Sequence, residues 1–213
     1  MRTDDLIGWL AAEAAPVVPR AGARRSLLAL AWSLPVAFVS MLLVLGLNPA
    51  LALYAQLPLF WLKVAAPLCM ALAGLALLGR LGRPGMPTTR AWAAYLLPVA
   101  VLWAVGAWRW LAAPAEARQA LLYGLTWRVC PACIVMLSAP VFVAAFWVLR
   151  GMAPVRPRLA GAGAGALAGA AGATVYALHC PELGAPFMAV WYVLGMAVPV
   201  ACGALLGPRL LRW

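Results

Sequence analysis

The sequence predicts an all-α polytopic membrane protein, a bundle of six transmembrane helices with both termini in the cytoplasm. Three observations carry that expectation. Of the 213 residues, 67% are hydrophobic and 10% are charged, and mean hydropathy is +0.96. A water-soluble fold built from this material would lack the polar surface to cover itself. The apolar residues fall into six continuous runs, each close to the ~20 residues that a spanning helix needs. The basic residues collect at alternate ends of those runs. Six spans take up more than half of the chain and leave no room for a large soluble domain.

Taken in order, residues 1–25 form a cytoplasmic tail and residues 26–206 the transmembrane domain. The first run, 26–47, lacks a small-residue cleavage site and is long enough to span, so a retained helix is expected instead of a cleavable signal. The others cover about 59–79, 92–112, 129–149, 159–178 and 187–206, and residues 207–213 make a cytoplasmic C-terminal tail. Between them lie turn-forming segments such as Asn48-Pro49, Arg83-Pro84-Gly85, Pro154-Val155-Arg156-Pro157 and Cys180-Pro181-Glu182-Leu183-Gly184. Hydrocarbon offers no water to backbone groups, which favours helices. A barrel would need alternating strands of about ten residues, and these runs do not alternate. Pro35, Pro67, Pro98, Pro140 and Pro199 are expected to kink their helices.

Orientation follows from charge. Arg2, Arg20, Arg24, Arg25, Arg80, Arg83, Arg90, Arg150, Arg156, Arg158, Arg209 and Arg212 fall on one side, whereas Lys63, Arg109, Arg118 and Arg128 fall on the other. The positive-inside rule places the first group, and both termini with it, in the cytoplasm. The net charge of +11 is then a topology signal and a handle for anionic lipid headgroups. Basic residues at membrane borders, without one patch of interleaved aromatics, argue against direct nucleic acid binding.

Only five acidic residues exist, Asp4, Asp5, Glu13, Glu116 and Glu182, and none lies within a predicted span. Ion-coupled transporters keep a carboxylate inside the bundle, so this class is disfavoured. Lys63 and Arg109 sit near span ends, where snorkelling to the interface accounts for them, and Trp108-Arg109-Trp110 reads as an interface anchor. Phosphate-binding loops, nucleophile elbows and zinc helices are absent, and the chain has a single histidine, His179. No cofactor and no enzymatic activity are expected. Gly161, Gly165 and Gly169, continued by Ala173, recur every fourth residue and predict close approach of a neighbouring helix.

Two features rise above this background. The first is the cysteine distribution. Cys69 and Cys202 fall mid-span and read as buried small hydrophobes. Cys130 and Cys133, in Cys130-Pro131-Ala132-Cys133, begin the fourth span, while His179 and Cys180 end the fifth, all on the outer face. Three thiols and an imidazole at one membrane border suit an inert disulfide staple, a redox or metal sensor with Cys130, Cys133, His179 and Cys180 as ligands, or catalytic thiol exchange. The last would make the chain a membrane thiol-disulfide oxidoreductase using Cys130 and Cys133. It would need a second exchanging pair, and only Cys180 remains outside.

The second feature is the tail. Thr3 is placed to cap a helix whose first turn contains Asp4 and Asp5, and Leu6, Ile7, Leu10 and Ala14 give it a narrow apolar stripe. The acidic tip is repelled by anionic lipid while the collar of Arg20, Arg24 and Arg25 is drawn to it. Two readings follow: a solvated cap on the first span, or a docking element for a basic groove on a soluble partner.

Several segments together resemble the NrsF family. They are Thr3-Asp4-Asp5-Leu6-Ile7, Trp127-Arg128-Val129-Cys130 with Leu137-Ser138-Ala139-Pro140, Tyr176-Ala177-Leu178-His179-Cys180-Pro181-Glu182, Trp191-Tyr192-Val193-Leu194-Gly195, and the closing Leu206-Gly207-Pro208-Arg209-Leu210-Leu211-Arg212-Trp213. The resemblance runs from end to end. It implies a six-span bacterial inner-membrane anti-sigma factor that holds an extracytoplasmic-function sigma factor at the membrane until stress releases it. The family's two characteristic cysteines match Cys130 and Cys180, which the resemblance implies as sensors of metal or oxidative stress. Cys133 is an addition to that pattern and a third sensing candidate. The resemblance also favours partner docking through Thr3, Asp4, Asp5, Leu6 and Ile7, with the loops at 80–91 and 150–158 as further contacts.

Overall fold

The computed structural model describes residues 2–13 and 21–212. Ala14 of the tail stripe and Arg20 of the basic collar lie outside the described residues. The elements are α1 (Thr3–Glu13), α2 (Ala21–Val44), α3 (Leu51–Tyr54), α4 (Pro58–Leu81), α5 (Thr89–Ala112), α6 (Ala115–Tyr123), α7 (Cys130–Arg150), α8 (Pro157–Tyr176), α9 (Ala185–Phe187), a π-helical turn (Met188–Tyr192) and α10 (Val193–Leu210). Among the described residues six helical stretches are long and apolar enough to cross a membrane, the last running without a break from Ala185 to Leu210. The expected runs match these spans to within a turn. The first begins earlier, because Arg24 and Arg25 are helical as well, and the last continues past 206 to Leu210. The five mid-span prolines lie inside their helices, as does Pro208.

The centre of the bundle is α8. Every residue from Ala160 to Ala173 is buried, as befits a helix that is apolar on all sides. It packs against α4, α7 and α10, while α2 lies against α7. Lipid tails are as apolar as leucine, so hydrophobicity does not drive these helices together and close backbone approach has to. Small residues provide it on three faces of α8. A methyl group on Gly161 would run into the carbonyl oxygen of Gly203, and one on Gly165 into that of Pro199. At Gly169 it would sit 2.7 Å from the Met196 carbonyl oxygen. Gly172 meets α7 instead, with the Ile134 carbonyl oxygen 2.8 Å from a Cβ position, and Gly74 of α4 lies equally close to the Leu167 backbone. The expected row of small residues is therefore one of three. Its counterpart on α10 is Gly203 and Gly207, four residues apart, which face the Gly161 and Pro157 backbones in turn.

Cys69 and Cys202 depart from expectation, since both are exposed on the outside of the bundle. A cysteine in a span faces lipid as readily as protein, because both surroundings are apolar, and hydropathy alone does not tell the two faces apart.

Gly165→Ala places a methyl group against backbone that cannot rotate away, and overpacking of this kind costs about 1–3 kcal/mol. Thermal unfolding in detergent should show a clear loss of stability. Gly79→Ala, where nothing lies within 4 Å of the added atom, should leave the midpoint unchanged or slightly raised. Equal effects of the two substitutions would contradict the packing described.

Candidate functional site

The run from Tyr176 to Glu182 is the meeting point of one end of the bundle. After α8 the chain makes a last turn, with the amides of His179 and Cys180 both bonded to the Tyr176 carbonyl at 3.0 Å, and Pro181 then prevents further helix. A helix end exposes carbonyls that need partners, and three other segments supply them or dock beside them. The Asn48 amide donates to the Leu178 carbonyl at 3.3 Å. The His179 ring lies with Nδ1 2.9 Å from the Gly46 carbonyl oxygen, which requires the proton on Nδ1. The Lys63 ammonium donates to the Cys180 carbonyl. Glu182 accepts from the Leu125 amide at 2.6 Å.

Gly124 explains why the last contact is possible. It ends α6 with φ of 53°, in the left-handed region, and a Cβ there would lie 2.6 Å from the Glu182 carboxylate. An aromatic clamp holds the same segment down. The Trp191 indole donates to the Leu122 carbonyl at 2.8 Å, and the rings of Trp127 and Trp191 have centroids 5.2 Å apart, with Tyr123 against Trp127 at 5.3 Å. Residues 122–129 are thus fixed over the sixth span, and Cys130 follows at the first turn of α7.

Cys130 and Cys180 are buried, at 0% and 1% exposure, and belong to the same core as Tyr176 and Tyr192. Cys133, one turn along α7, is half-buried. The Tyr176 and Tyr192 rings are 5.7 Å apart, and the Tyr192 hydroxyl is buried without a hydrogen-bond partner. The three thiols lie at one end of the bundle, Cys130 and Cys133 in the first turn of α7 and Cys180 just past the end of α8. The His179 ring stands at the same end, with Nδ1 engaged by the Gly46 carbonyl and Nε2 left free by that bond. Among the described residues no three His, Cys, Asp or Glu side chains converge in a metal-binding arrangement.

Lys63 corrects the snorkelling expectation. It is 1% exposed and points into the bundle. The inward face of α4 runs through Phe60, Lys63, Pro67, Met70, Gly74, Leu77 and Leu81, and Lys63 lies on it because the end of α8 offers a carbonyl there. Its spacing from Gly74, eleven residues or about three turns, is the signal that was available. Arg109 does behave as an interface residue, exposed and stacked over Trp108 at 5.8 Å.

At the N-terminus α1 forms as expected, with Asp4 and Asp5 in its first turn. The cap differs. Thr3 is already helical, and Asp5 reaches back to accept from the Arg2 amide at 3.2 Å. All described residues from Arg2 to Ala12 are exposed, including Ile7 at 59% and Trp9 at 72%.

A six-span helical membrane protein, with a thiol cluster closed beneath its loops at one end and an exposed acidic-tipped helix at its N-terminus, is the class of protein that fold and site define. The family model described as "Negative regulator of sigma F", NrsF, matches residues 10–213, and the chain belongs to that family. It is 47% identical to the "Probable anti-sigma-F factor NrsF" of Azospira oryzae over 213 residues, covering 100% of both chains. To the "Anti-sigma-F factor NrsF" of Caulobacter vibrioides it is 39% identical over 217 residues, again covering 100% of both. No solved structure matches the chain. The family is one of regulators and not of enzymes, which removes the thiol-disulfide oxidoreductase alternative.

Glu182→Gln weakens a charge-assisted bond that, being part-exposed, is worth about 1.4 kcal/mol, or tenfold in an opening equilibrium. Hydrogen exchange at the Leu125 amide should accelerate by about that factor, while amides in the middle of α8 stay unchanged. Unchanged exchange at Leu125 would contradict the docking role given to Glu182.

Proposed function

We propose that this chain is a bacterial inner-membrane anti-sigma factor that sequesters an extracytoplasmic-function sigma factor and releases it on metal or oxidative stress sensed at Cys130 and Cys180. Family membership along essentially the whole chain carries the reading. Both termini face the cytoplasm in this account, supported by the arginines at that end of the spans. The sensing cysteines then lie at the extracytoplasmic end, with Cys133 as the more accessible third thiol.

The grip is assigned to Thr3, Asp4, Asp5, Leu6 and Ile7. Support comes from exposure: acidic side chains at the first turn and large apolar ones behind them, with Trp9 and Leu10 continuing the surface. Sigma factors carry basic DNA-contacting surfaces. An acidic amphipathic helix competes for such a surface by charge and by apolar anchoring, so the chain would need no contact with nucleic acid itself.

Release requires different affinities in two states. A hundredfold weakening corresponds to about 2.7 kcal/mol, within the usual range of allosteric coupling. Reaction or capture at the Cys130 and Cys180 sulfurs would disturb the turn to which the Gly46–Asn48, Lys63 and Leu125 segments are all bonded. The close-packed α8 would carry that disturbance towards the cytoplasmic end.

The test uses purified extracytoplasmic-function sigma factors of the source bacterium and the protein in nanodiscs. Asp4→Lys with Asp5→Lys should weaken binding by at least about tenfold; binding at wild-type strength would move the grip elsewhere. The thiol oxidant diamide should release the sigma factor from wild type but not from Cys130→Ser with Cys180→Ser. A full response from that double variant would remove the two cysteines from the sensing role.

A further inference from the structure

Among the described residues, Lys63 is the one charged side chain buried within a span, and no carboxylate answers it. Glu182, the acidic residue of that end in electrostatic reach, spends an oxygen on the Leu125 amide. An ammonium group has three N–H donors. Taking it out of water costs several kcal/mol unless hydrogen bonds and opposing charge compensate. The compensation here comes from the Cys180 carbonyl and the Tyr192 ring, whose centroid is 6.0 Å from Nζ. That carbonyl belongs to the same residue as one of the two buried thiols, and a thiol changes charge and shape on oxidation, alkylation or metal capture.

These groups belong to four different elements. Lys63 lies near the start of α4, Cys130 starts α7, Cys180 follows α8, and Tyr192 ends the π-helical turn. The far end of α4 leads to Arg83, whose Nη2 lies 3.7 Å from a Cβ position on Gly22 at the base of α2. One helix, α4, with Pro67 inside it, therefore runs from the Cys180 turn to the foot of the segment that follows the N-terminal helix.

We propose that Lys63 is a positioning residue of the sensing site: its ammonium group ties the start of α4 to the Cys180 carbonyl at the end of α8, so that a chemical change at the Cys180 sulfur alters the hold on α4 and is delivered along it to the base of α2. The direction of the signal rests on the sensing role proposed above. The tie itself does not.

Hydrogen exchange in detergent tests the tie, using wild type and Lys63→Met. Loss of the bond to the Cys180 carbonyl should accelerate exchange at the His179 and Cys180 amides, which close the same turn, by at least about fivefold, while amides in the middle of α8 stay unchanged. Unchanged exchange at both amides would overturn the proposal. Methionine removes a buried charge and keeps the stem, so this variant is expected to fold, and Lys63→Arg provides a second variant that keeps the charge.

Sigma-factor release by diamide then tests delivery. Wild type should weaken by about tenfold or more, Lys63→Met by less than about twofold, and Lys63→Arg should recover most of the response. Release from Lys63→Met at the wild-type level would overturn delivery along α4. A wild type that does not respond would sink the sensing role and delivery with it, while the exchange measurement alone would decide the tie.

Discussion

One end of this bundle depends on the hydrogen-bonding needs of the turn that ends α8. A helix terminus inside or beside a membrane presents carbonyls that no water reaches easily, and each has to be answered by protein. The loop after α2, the start of α4 and the loop before α7 all attach at or beside that turn, through Asn48, Lys63 and Leu125, with the His179 ring adding Gly46. Three connections that are far apart in sequence are thereby fastened to seven consecutive residues. Two of the three thiols at this end are held in the same knot. A chemical event at sulfur is consequently a structural event for the fold, because Cys180 is both a thiol and one of the answered carbonyls.

Beneath this knot close packing dominates, with a few polar bonds between helices, such as those from the Tyr95 hydroxyl to the Ala166 carbonyl at 3.3 Å and from the Trp103 indole to the Ala189 carbonyl at 2.8 Å. From Ala160 to Ala173 α8 is alanine and glycine except for Leu167, and its neighbours approach on three faces at backbone distance. Such packing has little slack, since a methyl group at Gly161 or Gly165 already meets backbone. A body packed in this way transmits displacement between its ends instead of absorbing it. The opposite end is tied more loosely, through Arg25 stacked on Trp147 at 4.3 Å and Arg150 bonded to the Leu210 carbonyl at 3.2 Å. Those contacts are exposed or near the surface and are cheaper to rearrange than the knot.

Much of this was legible in the sequence, and the reasons are specific. The six spans follow from run length and hydropathy, which are properties of single segments. The Gly161, Gly165 and Gly169 row was readable because its period is helical. Which way a residue faces was harder to read, because lipid and protein interior are equally apolar. Cys69 and Cys202 could not be assigned to the outer surface for that reason, nor Lys63 to the inner. The roles of Gly203, Gly207 and Gly172 depend on which helices are neighbours, and periodicity within one helix does not say. Gathering Cys130, Cys133 and Cys180 at one end required only the alternation of spans. The bond between the His179 ring and the Gly46 carbonyl depends on which loop lies beside that turn, and the sequence does not say.

The account centres on a link between the thiol end of the bundle and an N-terminal grip on a sigma factor. Its most direct test is the dissociation constant of the sigma factor for the nanodisc-embedded protein, measured by calorimetry with the cysteines reduced and again after oxidation. Oxidation is expected to weaken binding by about a hundredfold, the equivalent of ~2.7 kcal/mol. Identical constants in the two states would contradict the link.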